Sequence, residues 1–421
     1  VTTLAPKDDN PLWSFFMGKY TAIENNSIDQ KIATDLQIIV ETIRSHMEPE
    51  AIILRGSFGR GEGSVLVQNG QLNFLSDYEI DVMTPSARYR SLFSQLSHQL
   101  TKELGVDTGL RWVRPDYLQV ERVGPFSAGK ATITISLYES RYGAVTLYGQ
   151  RGNSSEIHVD PRQIQLLDAF LLLLNRMAES LYHIPLNNDQ IADAGPQAYY
   201  WVNKLILACT ESLLAVWGKY HFSYRERGRR LLDAGQRGHL DFMTDQAEQF
   251  MEMVTTATAF KLQPDPTLYK HSIQETWQQV VPIVDRVFRY LAHKIWGFTF
   301  ELYAEFPAQF LRNTSIFSGF MPLIQIGFIK VRDVYKYARV GLFPRSTLRP
   351  YITSGIIYSA VPLVFTSWLN YETEKAAPVL QAARHYLNMA YPILTPSAEG
   401  YEEWLTLQQS LLLAWKNFCY L

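Results

Sequence analysis

A glycine-rich turn followed by a run of alternating acids constrains this chain more than any other feature. The apolar run Ala51-Ile52-Ile53-Leu54 reads as a strand, and four glycines (Gly56, Gly59, Gly61, Gly63) then fall within eight positions. Glycines let a backbone turn tightly and bring its N–H groups close to an anion, above all where a helix begins. Ser57 adds a hydroxyl at the same place. Further on, Asp77-Tyr78-Glu79-Ile80-Asp81-Val82 alternates acid and apolar residues. In a strand these side chains alternate faces, so Asp77, Glu79 and Asp81 share one side. Three like charges on one face repel unless a cation sits among them, and a solvated edge strand is the plain alternative. Mg2+ or Mn2+, which prefer oxygen ligands and accompany phosphates, suit such a set. The metal ligands expected are therefore Asp77, Glu79 and Asp81.

Between the two halves, 19 residues separate Ser57 from Asp77. Asn69-Gly70 lies there between Val65-Leu66-Val67 and Leu72, which predicts an inserted β-hairpin. Further strands are expected at 78–83, 117–123, 131–138 and 144–148, with helices at 29–46 and 86–104. After residue 160 the pattern is helical, with helices expected at 161–183, 198–220, 230–260, 272–305, 328–338, 350–370, 374–392 and 398–419. The fold class expected is α+β: a small mixed twisted sheet with flanking helices, then a large all-helical part.

The pattern resembles the signature of the DNA polymerase β-like nucleotidyltransferase superfamily, in which Gly-Ser is followed by Asp, an apolar residue, then Asp or Glu. Arg60-Gly61 and Ser76-Asp77 resemble the minimal and antibiotic-modifying members. The resemblance implies that Gly56, Ser57 and Arg60 hold a nucleoside triphosphate such as ATP, and that Asp77 and Glu79 are catalytic metal ligands. It covers residues 30–150 at best. The change of pattern near residue 150 divides the chain into 1–150, a nucleotidyltransferase-like head, 151–305, a helical domain expected to pack on it, and 306–421, a C-terminal helical region. The sequence departs from the pattern at Arg55, where the family has an apolar residue, and in the longer spacing. The family's third carboxylate belongs on a later neighbouring strand, and Glu139, just after the strand expected at 131–138, is the candidate, with Asp81 as the other claimant.

The densest basic and aromatic cluster runs from Lys219 to Arg230. A cation there could reach the outer phosphates and an aromatic could stack on the base, so Lys219, Tyr224 and Arg225, with Lys204 on the preceding helix, are nucleotide-binding candidates. A solvated helix end reads the same cluster without function. Other constellations fall short. His183, His221 and His271 lack ligand spacing, and Gly-x-Ser-x-Gly is absent. Residues 124–131 approach a P-loop but put Ala131 at its hydroxyl position. Asp241, Asp245, Glu248 and Glu252 are expected to share a solvated helix face.

Formal net charge is −2, which argues against long nucleic acid as the main partner. Two isolated cysteines, Cys209 and Cys419, favour a reducing cytoplasm over a disulfide framework or zinc site. No signal-peptide core and no spanning segment are read; the apolar stretches at 316–329 and 352–368 are short and interrupted. The function expected is metal-dependent transfer of a nucleoside monophosphate to a hydroxyl of a small molecule or protein, releasing pyrophosphate. Two alternatives stay open: an RNA-end nucleotidyltransferase, and a catalytically weak nucleotide-binding or toxin–antitoxin-type interaction protein. A partner or membrane-facing surface on the two apolar stretches is a weaker idea.

Overall fold

The computed structural model describes residues 18–115, 133–151, 158–184, 196–313, 353–370, 376–390 and 400–419. Outside them lie the strand expected at 117–123, the loop at 124–131, the helix at 328–338 and the apolar stretch at 316–329. The protein is α+β, with a four-stranded mixed sheet and many helices. It divides into two compact units that do not follow chain order. One takes Val1–Gln165, Trp217–His239 and Glu248–Lys270; the other takes Leu166–Val216, Leu240–Ala247 and His271–Leu421.

The first unit begins with α1 (Asn26–His46), β1 (Ala51–Arg55) and the short α2 (Gly56–Gly59). A hairpin of β2 (Val65–Gln68) and β3 (Gln71–Phe74) follows, then β4 (Tyr78–Met83), α3 (Arg90–Leu104), β5 (Thr108–Val113), α4 (Ile135–Tyr142) and β6 (Val145–Gly149). The sheet order is β5-β4-β1-β6, with β4 and β5 parallel and the other neighbours antiparallel. Its two faces differ because side chains alternate. Ile52, Leu54, Tyr78, Ile80 and Val82 are buried with Ile28, Ile32, Leu36, Ile39 and Ile43 of α1 and Phe93, Leu96 and Leu100 of α3. The opposite face has a small apolar base, Ala51, Ile53, Met83 and Val113, against which Leu137 and Ala144 pack.

Tyr78 fixes which acids face which way. It is fully buried, and its hydroxyl donates to Asp35 Oδ2 on α1 at 2.9 Å. Burial, then the Asp35 charge, raises this phenol well above its usual range. With Tyr78 locked inside, Glu79 and Asp81 belong to the other side of the sheet, and the exposed Asp77 stands just before the strand.

The hairpin forms as expected, with Val67 opposite Leu72 and Gln68 opposite Gln71. Asn69 (φ 52°) and Gly70 (φ 76°) make its two-residue turn, the left-handed pair that matches strand twist. The expected strand at 131–138 is corrected: residues 135–142 are helix α4. The hydroxyl of Thr134 accepts from Leu137 N at 3.1 Å and caps it. The alternating Thr and Ile that imitate a strand instead supply a cap and a buried helical face through Ile135 and Tyr138.

Helices α5 (Leu166–Ser180) and α6 (Pro196–Val216) belong to the second unit, and the first resumes with α7 (Tyr224–Gln236) and α8 (Ala247–Leu262). The single helix expected at 230–260 is corrected too. A 3-10 segment, Asp241–Gln246, intervenes and is broken at Thr244 (φ 51°, ψ −115°). Asp241, Asp245, Glu248 and Glu252 therefore share no continuous helix face. Likewise 161–183 divides into a 3-10 turn at Pro161–Gln163 and α5.

The second unit continues with α9 (Ile273–Trp296), α10 (Phe306–Asn313), α11 (Thr353–Ser367), α12 (Ala376–Ala390) and α13 (Gly400–Phe418). A capping box between Ser272 and Glu275 starts α9, and left-handed Gly297 ends it. Phe170, Phe288, Phe306 and Phe310 pack together with ring centroids 5.0–6.3 Å apart. Among the described residues no helix is long and apolar enough to cross a membrane.

Candidate active site on the acid face of the sheet

The end of β1, the turn into α2 and strand β4 come together on the less covered face. In the β1–β4 register Arg55 stands opposite Glu79, and Ile53 opposite Asp81. Gly56 adopts φ +67°, and a Cβ placed on it would lie 2.4 Å from Glu79 Oε1. Only glycine lets the backbone come this close to the carboxylate. The acid strand and the glycine turn, distant in sequence, thus meet within one side chain's width. Asp77 is exposed, Glu79 half-buried and Asp81 buried.

Two arginines accompany these acids. Arg55 Nη2 lies 2.8 Å from Glu79 Oε2, and its Nε lies 3.1 Å from Asp81 Oδ1. Arg111 on β5 stands opposite Asp81 in the parallel register and donates to both its oxygens at 2.7 Å. Both guanidinium groups also reach the Ser136 hydroxyl of α4, at 3.4 and 3.3 Å. Strand β5 is absent from the sequence reading; its alternation is blurred by Gly109 and Arg111, which face the acids. The neighbouring strand thus offers an arginine beside Asp81.

Glu139 sits in helix α4 and is committed elsewhere. It pairs with Arg60 Nη1 at 3.0 Å and with Arg227, and accepts from the Tyr220 hydroxyl at 2.6 Å. Burial alone would raise this carboxyl, but Arg60 and Arg227, helped by Tyr220, hold it at about 2. Arg60, 3% exposed at its side chain, is drawn inward to Glu139 and also lies 3.9 Å from Glu62.

The Lys219–Arg230 cluster is mostly spent on internal partners. Glu62, from the glycine turn, accepts from Ser223 Oγ (2.7 Å), Tyr224 N (2.8 Å) and Arg225 N (3.3 Å) at the start of α7. This carboxylate supplies the negative charge that a helix N-terminus favours. The Tyr224 ring lies against Arg60, Arg227 and Lys261, with the cations 4.9, 4.6 and 5.2 Å from its centroid. Lys219 lies 3.3 Å from His239 Nε2, and the Nε and Nη2 atoms of Arg225 are buried with no hydrogen-bond partner. Lys204 belongs to the second unit, where it lies 4.3 Å from the Trp201 ring. Behind Asp77, Ser76 Oγ accepts from Ser64 N at 2.9 Å and from Lys261 Nζ at 3.1 Å. Glu62, Arg111, Ser136, Arg227 and Lys261 escape sequence reasoning because their partners are remote in the chain.

Among the described residues no three His, Cys, Asp or Glu side chains are grouped to hold a metal on their own. Mg2+, however, commonly takes one or two protein carboxylates and completes its shell with water and substrate phosphate oxygens. Glu79 stands against the glycine turn, and the exposed Asp77 lies two residues before it; two carboxylates are the kind of donor such an ion takes. No protein-family model, no curated protein and no solved structure matches this chain.

Proposed function

We propose that this protein is a nucleotidyltransferase that moves a nucleoside monophosphate from a triphosphate to a hydroxyl of a small molecule or protein. One observation carries the reading: the glycine turn backs directly onto a metal-type carboxylate, with Gly56 against Glu79. Asp77 and Glu79 would hold the divalent ion. When bound, that ion supplies charge neutralisation at the transferring phosphoryl group and at the departing pyrophosphate. The backbone at Gly56 and the Ser57 hydroxyl would orient the phosphates beside it, where preorganised donors need no rearrangement as charge develops. Asp81 and Glu139 are each held by two arginines and Glu79 by one, so no carboxylate beyond Asp77 and Glu79 is assigned to the reaction.

Thermal stabilisation by ATP, GTP, CTP and UTP, each with Mg2+ or Mn2+, tests this reading. Binding to the native state alone must raise the melting temperature. The rise should require the metal and disappear in D77A/E79A; no rise with any triphosphate would refute the proposal. Labelled triphosphates incubated with cell extract then identify the acceptor as small molecule, protein or RNA. A second reading, a nucleotide binder with little catalysis, is favoured by Arg111 beside Asp81 on the neighbouring strand. It predicts the same stabilisation without transfer of label.

A further inference from the structure

We infer that Arg55 is a built-in counter-ion that must leave Glu79 before a divalent ion can bind, so that metal enters with the nucleotide and not ahead of it. The inference rests on the nucleotidyltransferase reading and adds an order of binding to it.

The charges make the case. Glu79 and Asp81 carry two negative charges on one face, with Asp77 just before β4; Arg55 and Arg111 return two positive ones, and Arg151 adds its charge near Asp81. With its acids so largely offset, the face is a weak attractor for a free dication, whose hydration must be given up on binding. Both oxygens of the half-buried Glu79 also have close neighbours. Oε2 meets Arg55 at 2.8 Å, and Oε1 points at Gly56. An ion at Glu79 would face the Arg55 guanidinium at close range, where like charges repel strongly.

Arg55 and Arg111 differ in how firmly they are held. Arg111 grips Asp81 through two hydrogen bonds of 2.7 Å, the bidentate form. Arg55 is divided between Glu79, Asp81 and a long 3.4 Å contact with Ser136. Of the two, Arg55 is the one that a competing cation dislodges. A triphosphate offers the released guanidinium a partner, since its planar fork matches phosphate oxygens. Metal and triphosphate together therefore replace one ion pair with two favourable contacts, whereas metal alone breaks a pair and leaves Arg55 only Asp81, which Arg111 already grips.

Mn2+ binding to the full chain, followed by loss of the free-ion paramagnetic resonance signal, tests the order. Wild type, Arg55→Met and Arg55→Lys are compared with and without the α,β-methylene analogues of ATP, GTP, CTP and UTP in turn. In wild type an analogue should tighten Mn2+ binding by about tenfold or more, an ordinary coupling. Arg55→Met should bind Mn2+ alone roughly tenfold more tightly than wild type and lose most of that coupling. Arg55→Lys, whose compact charge cannot span both carboxylates, should fall between them. If Arg55→Met does not fold, Arg55→Gln replaces it as a neutral polar side chain. Equal Mn2+ affinity in wild type and the neutral variant overturns the counter-ion role while leaving the nucleotidyltransferase reading intact. Failure of every form to bind Mn2+ or any analogue overturns both.

Discussion

Arg227, 1% exposed at its side chain, closes on Glu139 of a helix 88 residues earlier in the chain. Arg60 reaches the same carboxylate from the glycine turn. Removing the shared carboxylate leaves buried guanidinium charge uncompensated, a loss that typically costs about 3–5 kcal/mol. Glu139→Gln should therefore lose stability on that scale in urea unfolding, and Glu139→Met with Arg227→Met should recover much of it. A well-folded Glu139→Gln that loses only catalysis would instead return Glu139 to the reaction.

Alanine at position 56 must adopt a left-handed backbone and push Glu79 aside. The backbone penalty alone is about 1–2 kcal/mol. Gly56→Ala should lower stability by at least that amount and abolish triphosphate-dependent thermal stabilisation. Retention of the full nucleotide shift would separate this turn from phosphate binding.

The hairpin turn offers a control. Asn69 and Gly70 both adopt positive φ, so replacing them with Ala-Ala should cost about 1–2 kcal/mol for each left-handed residue. Nucleotide-dependent stabilisation should stay as in wild type. Its disappearance would give the inserted hairpin a role in binding.

Acid should weaken the fold in two stages. Burial, then the Arg230 charge, lowers His221 from 6.5 to about 4, and its Nδ1 accepts from Ser223 N at 3.1 Å. The unfolded chain takes up this proton first, so the His221 contribution is complete above pH 6.5 and declines as pH falls towards 4. His183, brought to about 4 by burial, declines in the same window. Glu139, depressed from 4.5 to about 2, contributes fully above pH 4.5 and loses its contribution as pH falls through 2. Chemical denaturation across this range should show His221→Gln flattening only part of the upper stage. An unchanged profile would mean that His221 is already exposed to protonation in the native state.

Local patterns were legible and remote pairings were not. Asn69-Gly70 announces its turn because the left-handed geometry resides in those two residues. The alternation around Tyr78 announces β4 because burial of Tyr78 and Ile80 leaves the acids one face. Thr132–Leu137 alternates just as cleanly, yet the Thr134 hydroxyl caps a helix there. Strand β5 escapes notice because Gly109 and Arg111 interrupt its apolar rhythm. The basic stretch after Lys219 looks like a surface awaiting an anion, because its carboxylate Glu62 lies 162 residues from Tyr224. Arg55, a small mismatch when read in line, becomes the counter-charge of the acid strand only once β1 and β4 are paired.

The carboxylate of Glu62 at the start of α7 has a consequence for synthesis. As the chain leaves the ribosome, the sheet is complete by Gly149, but Glu62 then has no helix to cap and Arg60 has neither Glu62's final placement nor the Arg227 network beside it. The turn acquires its lasting shape only after translation has passed α7 and α8, since Ser64 Oγ also waits for the carbonyl of Lys261. Nascent protein therefore carries an unfinished glycine turn for about a hundred codons, and truncation after the sheet should give a product in need of chaperones.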